Sequence, residues 1–125
     1  MRRSPDNPSP LGLVMRTPPY AQRSARTQLD IALVAAALGV PLRLYFIGAS
    51  VLQLVKQRET VTALLPTGYR GWDSLAEESL LEACAEPNWL ERLNDQDMSL
   101  ANILRPMSLP QMRIDWDDCA RLLIL

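Results

Sequence analysis

Two short apolar runs on either side of one long amphipathic segment constrain the fold of this chain more than any other feature. The first run, residues 11–15, is bounded by prolines, as is typical of a buried strand. From residue 21 to 38 apolar side chains recur at helical spacing, and Gly39 and Pro41 predict where that helix ends. Residues 42–47 form the second run. Strand, helix and strand in this order predict a parallel crossover, so we expect an α/β protein.

The rest of the chain continues this alternation less regularly. A short helix is predicted over Ala49–Gln57, and a third strand over Leu80–Cys84 after a helix near residues 74–79. Residues 60–65 fit either a helix or a turn. Pro87 suits the first position of another helix. The remaining predicted elements are a strand at Ile103 and Leu104, a helix within Ser108–Asp118 and a closing strand over Ala120–Leu125.

The length of 125 residues corresponds to one domain. We expect residues 1–9 to be a flexible tail, since prolines stand where a signal peptide has its apolar run, and residues 10–125 to form the domain. The longest apolar stretch, Ile31–Leu38, is too short to span a bilayer, so no membrane association is predicted. A net charge of −1 and a single lysine argue against direct nucleic-acid binding.

The absence of histidine excludes several kinds of active site. Without histidine the chain lacks the usual general base near neutral pH and the commonest transition-metal ligand, so we predict neither histidine-assisted nucleophilic catalysis nor a metal site. The five glycines form neither a dinucleotide fingerprint nor a P-loop, so no cofactor is predicted. Gly48–Ser50, directly after a predicted strand, leaves weak nucleotide or flavin binding as an alternative.

The chain has two cysteines, Cys84 and Cys119. Their number and spacing argue against a disulfide framework, so we expect a reducing, cytoplasmic setting. Cys84 is the candidate reactive thiol, because it lies near the end of a predicted strand and ahead of the Pro87 helix, whose N-terminus favours thiolate. The neighbouring Glu82 and Glu86 would oppose thiolate formation, and composition favours an inert buried cysteine. Cys119 follows two aspartates and is predicted to be structural.

Charge is distributed unevenly along the chain. Residues 1–26 carry five arginines against one aspartate, whereas residues 72–125 carry eleven acidic residues against four arginines. This split can support contacts between subunits, although a solvated surface explains it without a partner. The cluster of Asp115, Asp117 and Asp118 lacks the pattern of a calcium loop, and we interpret it as a solvated helix end. The tryptophans suit a core edge or an interface equally well: Trp72, Trp89 and Trp116.

Taken in order, these segments resemble the DsrE/DsrF-like family, and most closely its TusC/DsrF branch, from about Leu11 to Leu125. Ser24–Leu33 is similar to the family's SAREALDIAL-type helix, and Leu44–Leu54 is similar to its FFIxDGVFQL segment. Ala120–Leu125 resembles its closing strand. The chain departs from the branch at residues 49–50, where Asp-Gly is usual, which indicates a divergent member.

The resemblance implies a flavodoxin-like three-layer α/β sandwich with a mostly parallel central sheet. It also implies a heterohexamer with TusB/DsrH-like and TusD/DsrE-like subunits, which takes persulfide sulfur from a TusA-like donor and passes it to a TusE/DsrC-like acceptor. The endpoint is tRNA 2-thiouridine synthesis or sulfur oxidation. Cys84 falls at the family's sulfur-carrying position and is the candidate catalytic persulfide site, but the essential cysteine belongs to the TusD/DsrE subunit. The expected role is structural support of the relay, with a Cys84-dependent persulfide sulfurtransferase and a nucleotide-binding module as alternatives.

Overall fold

The structure, a computed structural model, describes residues 9–16, 22–55, 72, 74–75 and 81–125. Nearly all of the predicted N-terminal tail, and residues 60–65, lie outside these ranges. Of the helix predicted near residues 74–79, only residues 74 and 75 are described, and their backbone is helical. Among the described residues, no helix combines the length and the apolarity that crossing a bilayer requires.

Within the described ranges, strands and helices alternate from one end to the other, and they differ from the sequence prediction mainly at their ends. The elements are β1 Leu11–Met15, α1 Gln22–Ala37, β2 Leu42–Phe46, a first 3₁₀ helix Gly48–Leu54, β3 Leu81–Ala85, α2 Pro87–Arg92, β4 Leu104–Pro106, α3 Leu109–Asp115, a second 3₁₀ helix Trp116–Asp118, and β5 Arg121–Ile124. The short helix predicted after β2 is therefore present, but as a 3₁₀ helix.

The strands form one parallel sheet in the order β4-β3-β2-β1-β5. This confirms the predicted flavodoxin-like α/β fold with its parallel central sheet. The register aligns Val14, Tyr45 and Cys84 in one row across β1, β2 and β3. Because side chains alternate along a strand, this row points to one side of the sheet and the neighbouring row, which contains Phe46 and Ala85, points to the other.

One side of the sheet, which we call the α1 face, holds the larger apolar core. Leu29, Ala32 and Ala35 of α1 are buried there against the strands. Trp72 packs edge-to-face on Phe46, with ring centroids 5.6 Å apart. The other side, which we call the α3 face, holds a smaller buried cluster made of Val14, Tyr45, Cys84 and Met112. Helices on both sides of the sheet give the three layers.

Local sequence explains how the helices begin and end. Gly39 adopts a φ of +75°, and its N–H donates to the Ala36 carbonyl while the Val40 N–H donates to the Ala35 carbonyl. This is the hydrogen-bond pattern of a Schellman motif, so the predicted glycine stop is confirmed. At the start of α3 the Ser108 side chain accepts from the Gln111 N–H, and the Gln111 side chain accepts from the Ser108 N–H, which forms a capping box.

The connections between the strands define a switch point in the sheet. The connections after β1, β2 and β3 each step to the next strand on the same side, whereas the connection from β4 returns past β1 to place β5 at the far edge. The strand order therefore reverses at β1, and the switch point lies between β1 and β5. Open α/β sheets bind their ligands at such switch points. Cys84, the penultimate residue of β3, lies near the carboxyl end of its strand but is separated from the switch point by β2.

Candidate functional site

Cys84 occupies the position in the fold that the sequence predicted for it. It lies near the carboxyl end of β3, and α2 follows with Glu86 at its N-cap and Pro87 in its first turn. The side chain, however, points into the α3 face and is only 2% exposed. Its sulfur lies 3.6 Å from the Leu44 carbonyl oxygen, to which the thiol donates. The structure therefore places the candidate thiol in the interior.

Burial makes Cys84 a weak nucleophile in this conformation. Burial, reinforced by the negative charge of Asp115, raises the pKa of the thiol from 9.0 to about 12. This outweighs any favourable effect of the α2 N-terminus. The sequence predicts that Glu82 and Glu86 oppose the thiolate if their side chains lie close; in the structure Glu82 pairs with Arg43, Glu86 accepts from the Gly48 amide, and Asp115 is the carboxylate that raises the pKa of Cys84.

The α3 face, on which Cys84 lies, also holds a buried arginine with three acidic partners. Arg43 is the second residue of β2, and its side chain is 6% exposed. Its guanidinium lies 3.0 Å from Asp115, 3.1 Å from Asp118 and 3.2 Å from Glu82. Glu82 also pairs with Arg105, at 3.1 Å. Burial acts to lower the pKa of Arg43. The contacts with Tyr45, Glu82 and Asp115 raise the pKa by more than burial lowers it, so the arginine stays charged.

Tyr45 links this charged group to the second thiol. Its hydroxyl donates to Asp115 at 2.7 Å and lies 3.4 Å from the sulfur of Cys119. Because the phenol proton is directed to Asp115, the phenol oxygen is free to accept from the Cys119 thiol. Burial, with the contacts to Cys119 and Asp115, raises the pKa of Tyr45 above its ordinary range. Tyr45 is therefore a neutral bridge between Cys119 and Asp115.

Cys119 is partly exposed, in contrast to Cys84. Burial and the charges of Asp115 and Asp118 raise the pKa of its thiol, while Tyr45 and Arg43 act in the opposite direction. A protonated thiol at neutral pH follows. This agrees with the prediction that Cys119 is structural.

The two thiols are held apart by the sheet. A Cβ atom built at Gly12 of β1 would lie 2.8 Å from the Cys119 sulfur, so that sulfur sits over β1. Cys84 belongs to β3, with β2 and the Tyr45 ring between them. Two strand spacings are roughly 9 Å, well beyond the Cβ separation of about 4 Å that a disulfide needs. Both thiols are free, and the arrangement keeps them apart.

The interpretation of the acidic cluster as a solvated helix end was wrong for two of its three members. Asp115 and Asp118 are partly buried and bind Arg43, whereas Asp117 is exposed. Arg43 lies 72 and 75 positions before these two acids, so no local spacing reveals the pairs. The available signal is the charged residue itself, which interrupts an otherwise apolar strand and therefore requires a buried partner.

The glycine after β2 is already occupied by a protein carboxylate. Gly48 has a φ of +56°, and its N–H donates to Glu86 at 2.7 Å. A phosphate bound at this turn would need the same N–H and would meet the Glu86 charge. The contact therefore argues against the nucleotide-binding alternative that the sequence left open.

The tryptophans divide between the core and its edge. Trp72 is buried in the core. Trp89 is partly buried and lies under the Arg92 guanidinium, 5.2 Å from the ring centroid. Trp116 is partly buried and packs edge-to-face on Tyr45, with centroids 6.1 Å apart.

Comparison with solved structures supports the fold at low sequence identity. The crystal structure of the ychN protein from E. coli matches with a TM-score of 0.72 and 12% identity, over 94% of this chain and 99% of that chain. A conserved protein of unknown function from Bacteroides thetaiotaomicron matches with a TM-score of 0.58 and 14% identity, over 94% of this chain and 95% of that chain. No curated protein matches the sequence.

A family profile covers most of the chain. The profile of the DsrE/DsrF-like family matches residues 10–113, which extends from just before β1 into α3 and includes Cys84, Arg43 and Tyr45. This match covers well over half of the chain, and the chain therefore belongs to the DsrE/DsrF-like family.

Proposed function

We propose that this chain is a structural subunit of a TusBCD/DsrEFH-like sulfur-relay complex, which supports the transfer of persulfide sulfur toward tRNA 2-thiouridine synthesis or sulfur oxidation. Membership of the DsrE/DsrF-like family supports a sulfur-relay related role, and members of this family typically work in complexes. The similarity of the α1 and β2 segments to the TusC/DsrF branch supports TusB/DsrH-like and TusD/DsrE-like subunits as partners, with a TusA-like donor and a TusE/DsrC-like acceptor.

The burial of Cys84 is the observation that carries the structural role. A sulfur carrier needs a thiolate that meets the persulfide of another protein, which requires exposure and a lowered pKa. Cys84 is 2% exposed, and its pKa is raised to about 12. The chain in this conformation therefore suits a supporting role, in which a sister subunit supplies the reactive cysteine.

Exposed apolar side chains at and just after the C-terminal end of α1 agree with an assembled state. Val34 is 60% exposed and Leu38, one turn later, is 75% exposed. Residues 31–38 contain no polar side chain, whereas the outer face of a surface helix is normally polar. The reduced state of both cysteines agrees with the cytoplasm, where we place the complex.

Co-expression with TusB- and TusD-like proteins, followed by native mass spectrometry, tests the assembly. We expect one complex that contains all three chains, and this chain alone in every preparation would contradict the proposal.

Cys84→Ala tests the structural role within that complex. Sulfur flow from a TusA-like donor to a TusE-like acceptor should persist in Cys84→Ala, whereas the matched cysteine-to-alanine change in the TusD-like subunit should abolish it.

A second candidate function, a Cys84-dependent persulfide sulfurtransferase, is favoured by the position of Cys84 near the carboxyl end of β3, the side of the sheet on which open α/β proteins bind their ligands. In this reaction the Cys84 thiolate attacks the outer sulfur of a donor persulfide. A new S–S bond forms on Cys84, the S–S bond of the donor breaks, and the donor leaves as a thiolate that takes up a proton.

Intact mass spectrometry tests this second candidate. After incubation with a persulfide donor we expect a mass increase of one sulfur atom, and the increase should disappear in Cys84→Ser but persist in Cys119→Ser. An unchanged mass in the wild-type chain, both alone and within the complex, would eliminate the sulfurtransferase.

A further inference from the structure

The segment that covers Cys84 is held to the sheet by few apolar contacts. This segment, residues 107–119, contains α3 and the second 3₁₀ helix, and we call it the cover. In its two helices Met112 is the residue that is buried. Met107, Leu109 and Trp116 pack only partly buried around the same cluster. By comparison, α1 places several buried side chains into the larger core of the opposite face.

Polar contacts to β2 supplement this thin apolar contact. Asp115 of the cover accepts from the Arg43 guanidinium at 3.0 Å and from the Tyr45 hydroxyl at 2.7 Å. Asp118 accepts from Arg43 at 3.1 Å. We call these four residues, two from the cover and two from β2, the latch. Tyr45 is directly beside Cys84 in the sheet register and belongs to the same buried cluster, so the latch adjoins the buried thiol.

The closed cover leaves two buried donors without partners. Among the described residues, neither Nε of Arg43 nor Nε1 of Trp116 has a hydrogen-bond partner. A buried unsatisfied donor costs free energy that is recovered when water reaches it. Opening of the cover would hydrate both groups, which offsets part of the cost of separating the latch.

We propose that the cover opens as a unit and that the latch, through Asp115, sets how often Cys84 becomes accessible to reagents in solution. Segments with few buried apolar contacts open at lower free energy than the whole fold. Opening would expose the Cys84 thiol and, by moving Asp115 away and admitting water, remove the two largest causes that disfavour its thiolate. The inference gives the regulation of the second candidate function, and its significance for sulfur transfer rests on that function.

Alkylation of Cys84 in the Cys119→Ser background measures this opening, because one thiol remains in the chain. Iodoacetamide is added under native conditions and the adduct is followed by intact mass. Asp115→Ala removes the contacts to both Arg43 and Tyr45, and we expect alkylation to become about tenfold faster or more, as for the loss of one charge-assisted hydrogen bond. Asp117→Ala, an exposed neighbour in the second 3₁₀ helix, is the matched control and should leave the rate unchanged.

A second comparison separates opening of the cover from unfolding of the whole chain. Val51→Ala removes apolar contacts from the opposite face, where Val51 is fully buried, and leaves the latch intact. The free energy of unfolding is measured for both variants. The proposal is overturned if Asp115→Ala leaves the alkylation rate of Cys84 unchanged. It is also overturned if, for an equal loss in the free energy of unfolding, Val51→Ala accelerates alkylation as much as Asp115→Ala does. Alkylation requires neither a partner subunit nor a sulfur donor. The proposed opening can therefore be contradicted while the relay function is confirmed, and the relay function can be contradicted while the opening is confirmed.

Discussion

On the α1 face, the three central strands present only apolar side chains, whereas on the α3 face the same strands present Arg43, Tyr45, Glu82 and Cys84. The covering helices differ accordingly. The α1 helix has 16 residues with a buried apolar side, and α3 has seven residues of which Met112 alone is buried. A short helix cannot enclose two strands with apolar contacts, so an ion-pair group completes the closure. Stability is therefore expected to concentrate on the α1 face, and conformational opening on the α3 face.

The strongest test of this asymmetry is Leu44→Ala, on the α1 face. Leu44 is fully buried between β1 and β3, so its truncation should lower the free energy of unfolding by about 3 kcal/mol. Urea denaturation followed by circular dichroism measures the change. A loss below about 1 kcal/mol would mean that the α1 face is not the main source of stability.

On the α3 face the largest effect is expected from Arg43→Met. The change leaves Glu82, Asp115 and Asp118 close together without their shared cation, and because these acids are 22–37% exposed we expect a loss of about 2 kcal/mol rather than that of a fully buried pair. Arg105→Met is the control, since Arg105 is 60% exposed and its pair with Glu82 should contribute under about 0.5 kcal/mol. Equal losses in the same denaturation assay would show that burial of Arg43 adds nothing.

Between pH 9 and 10 the buried thiol should make stability fall. The pKa of Cys84 is about 12 in the folded chain against 9.0 ordinarily, so in this window the unfolded chain has released a proton that the folded chain keeps. The free energy of unfolding then decreases with rising pH, by at most about 1.4 kcal/mol per pH unit for one thiol. Cys84→Ala should flatten this slope, and Cys119→Ala should change it less. A slope that Cys84→Ala does not alter would contradict the buried, protonated state.

The smallest effect concerns the close contact at Gly12, beside Cys119. A Cβ at this position would lie 2.6 Å from Leu122 and 2.8 Å from Cys119, so Gly12→Ala must displace the tips of two side chains. We expect a loss of about 1 kcal/mol. Thermal denaturation compared with Gly39→Ala, where a Cβ meets nothing but φ is +75°, separates crowding from backbone strain. A stabilised Gly12→Ala chain would show that β5 can shift to accommodate the methyl group.

Most of the fold was predictable because local chemistry determines it. Gly39 and Pro41 end α1, Pro87 starts α2, and the central strands are marked by apolar runs, which Arg43 and Glu82 each interrupt once. The 3₁₀ form of Gly48–Leu54 was not predictable, because apolar spacing over so short a segment does not separate the two helix types. The arrangement of the sheet followed from the family resemblance and the crossover rule rather than from any single residue.

The candidate site was predictable only in part. The position of Cys84 before a helix that starts with a proline followed from the sequence. Its burial agrees with the expectation that a cysteine is usually buried. The Arg43 ion pairs did not follow, since their partners are more than seventy positions away in sequence. A charge such as Arg43 within a buried strand indicates that a partner exists, but only the crossing of the cover over β2 identifies Asp115.

The pairing of β5 with β1 has a consequence for the order of folding. During synthesis the first strand emerges long before the last, so one side of β1 has no strand to pair with until Arg121–Ile124 are made. Non-local pairing of this kind slows folding and leaves an unpaired edge that other chains can contact. Completion of the sheet, and with it protection against aggregation, therefore depends on the strand that is synthesised after the other four.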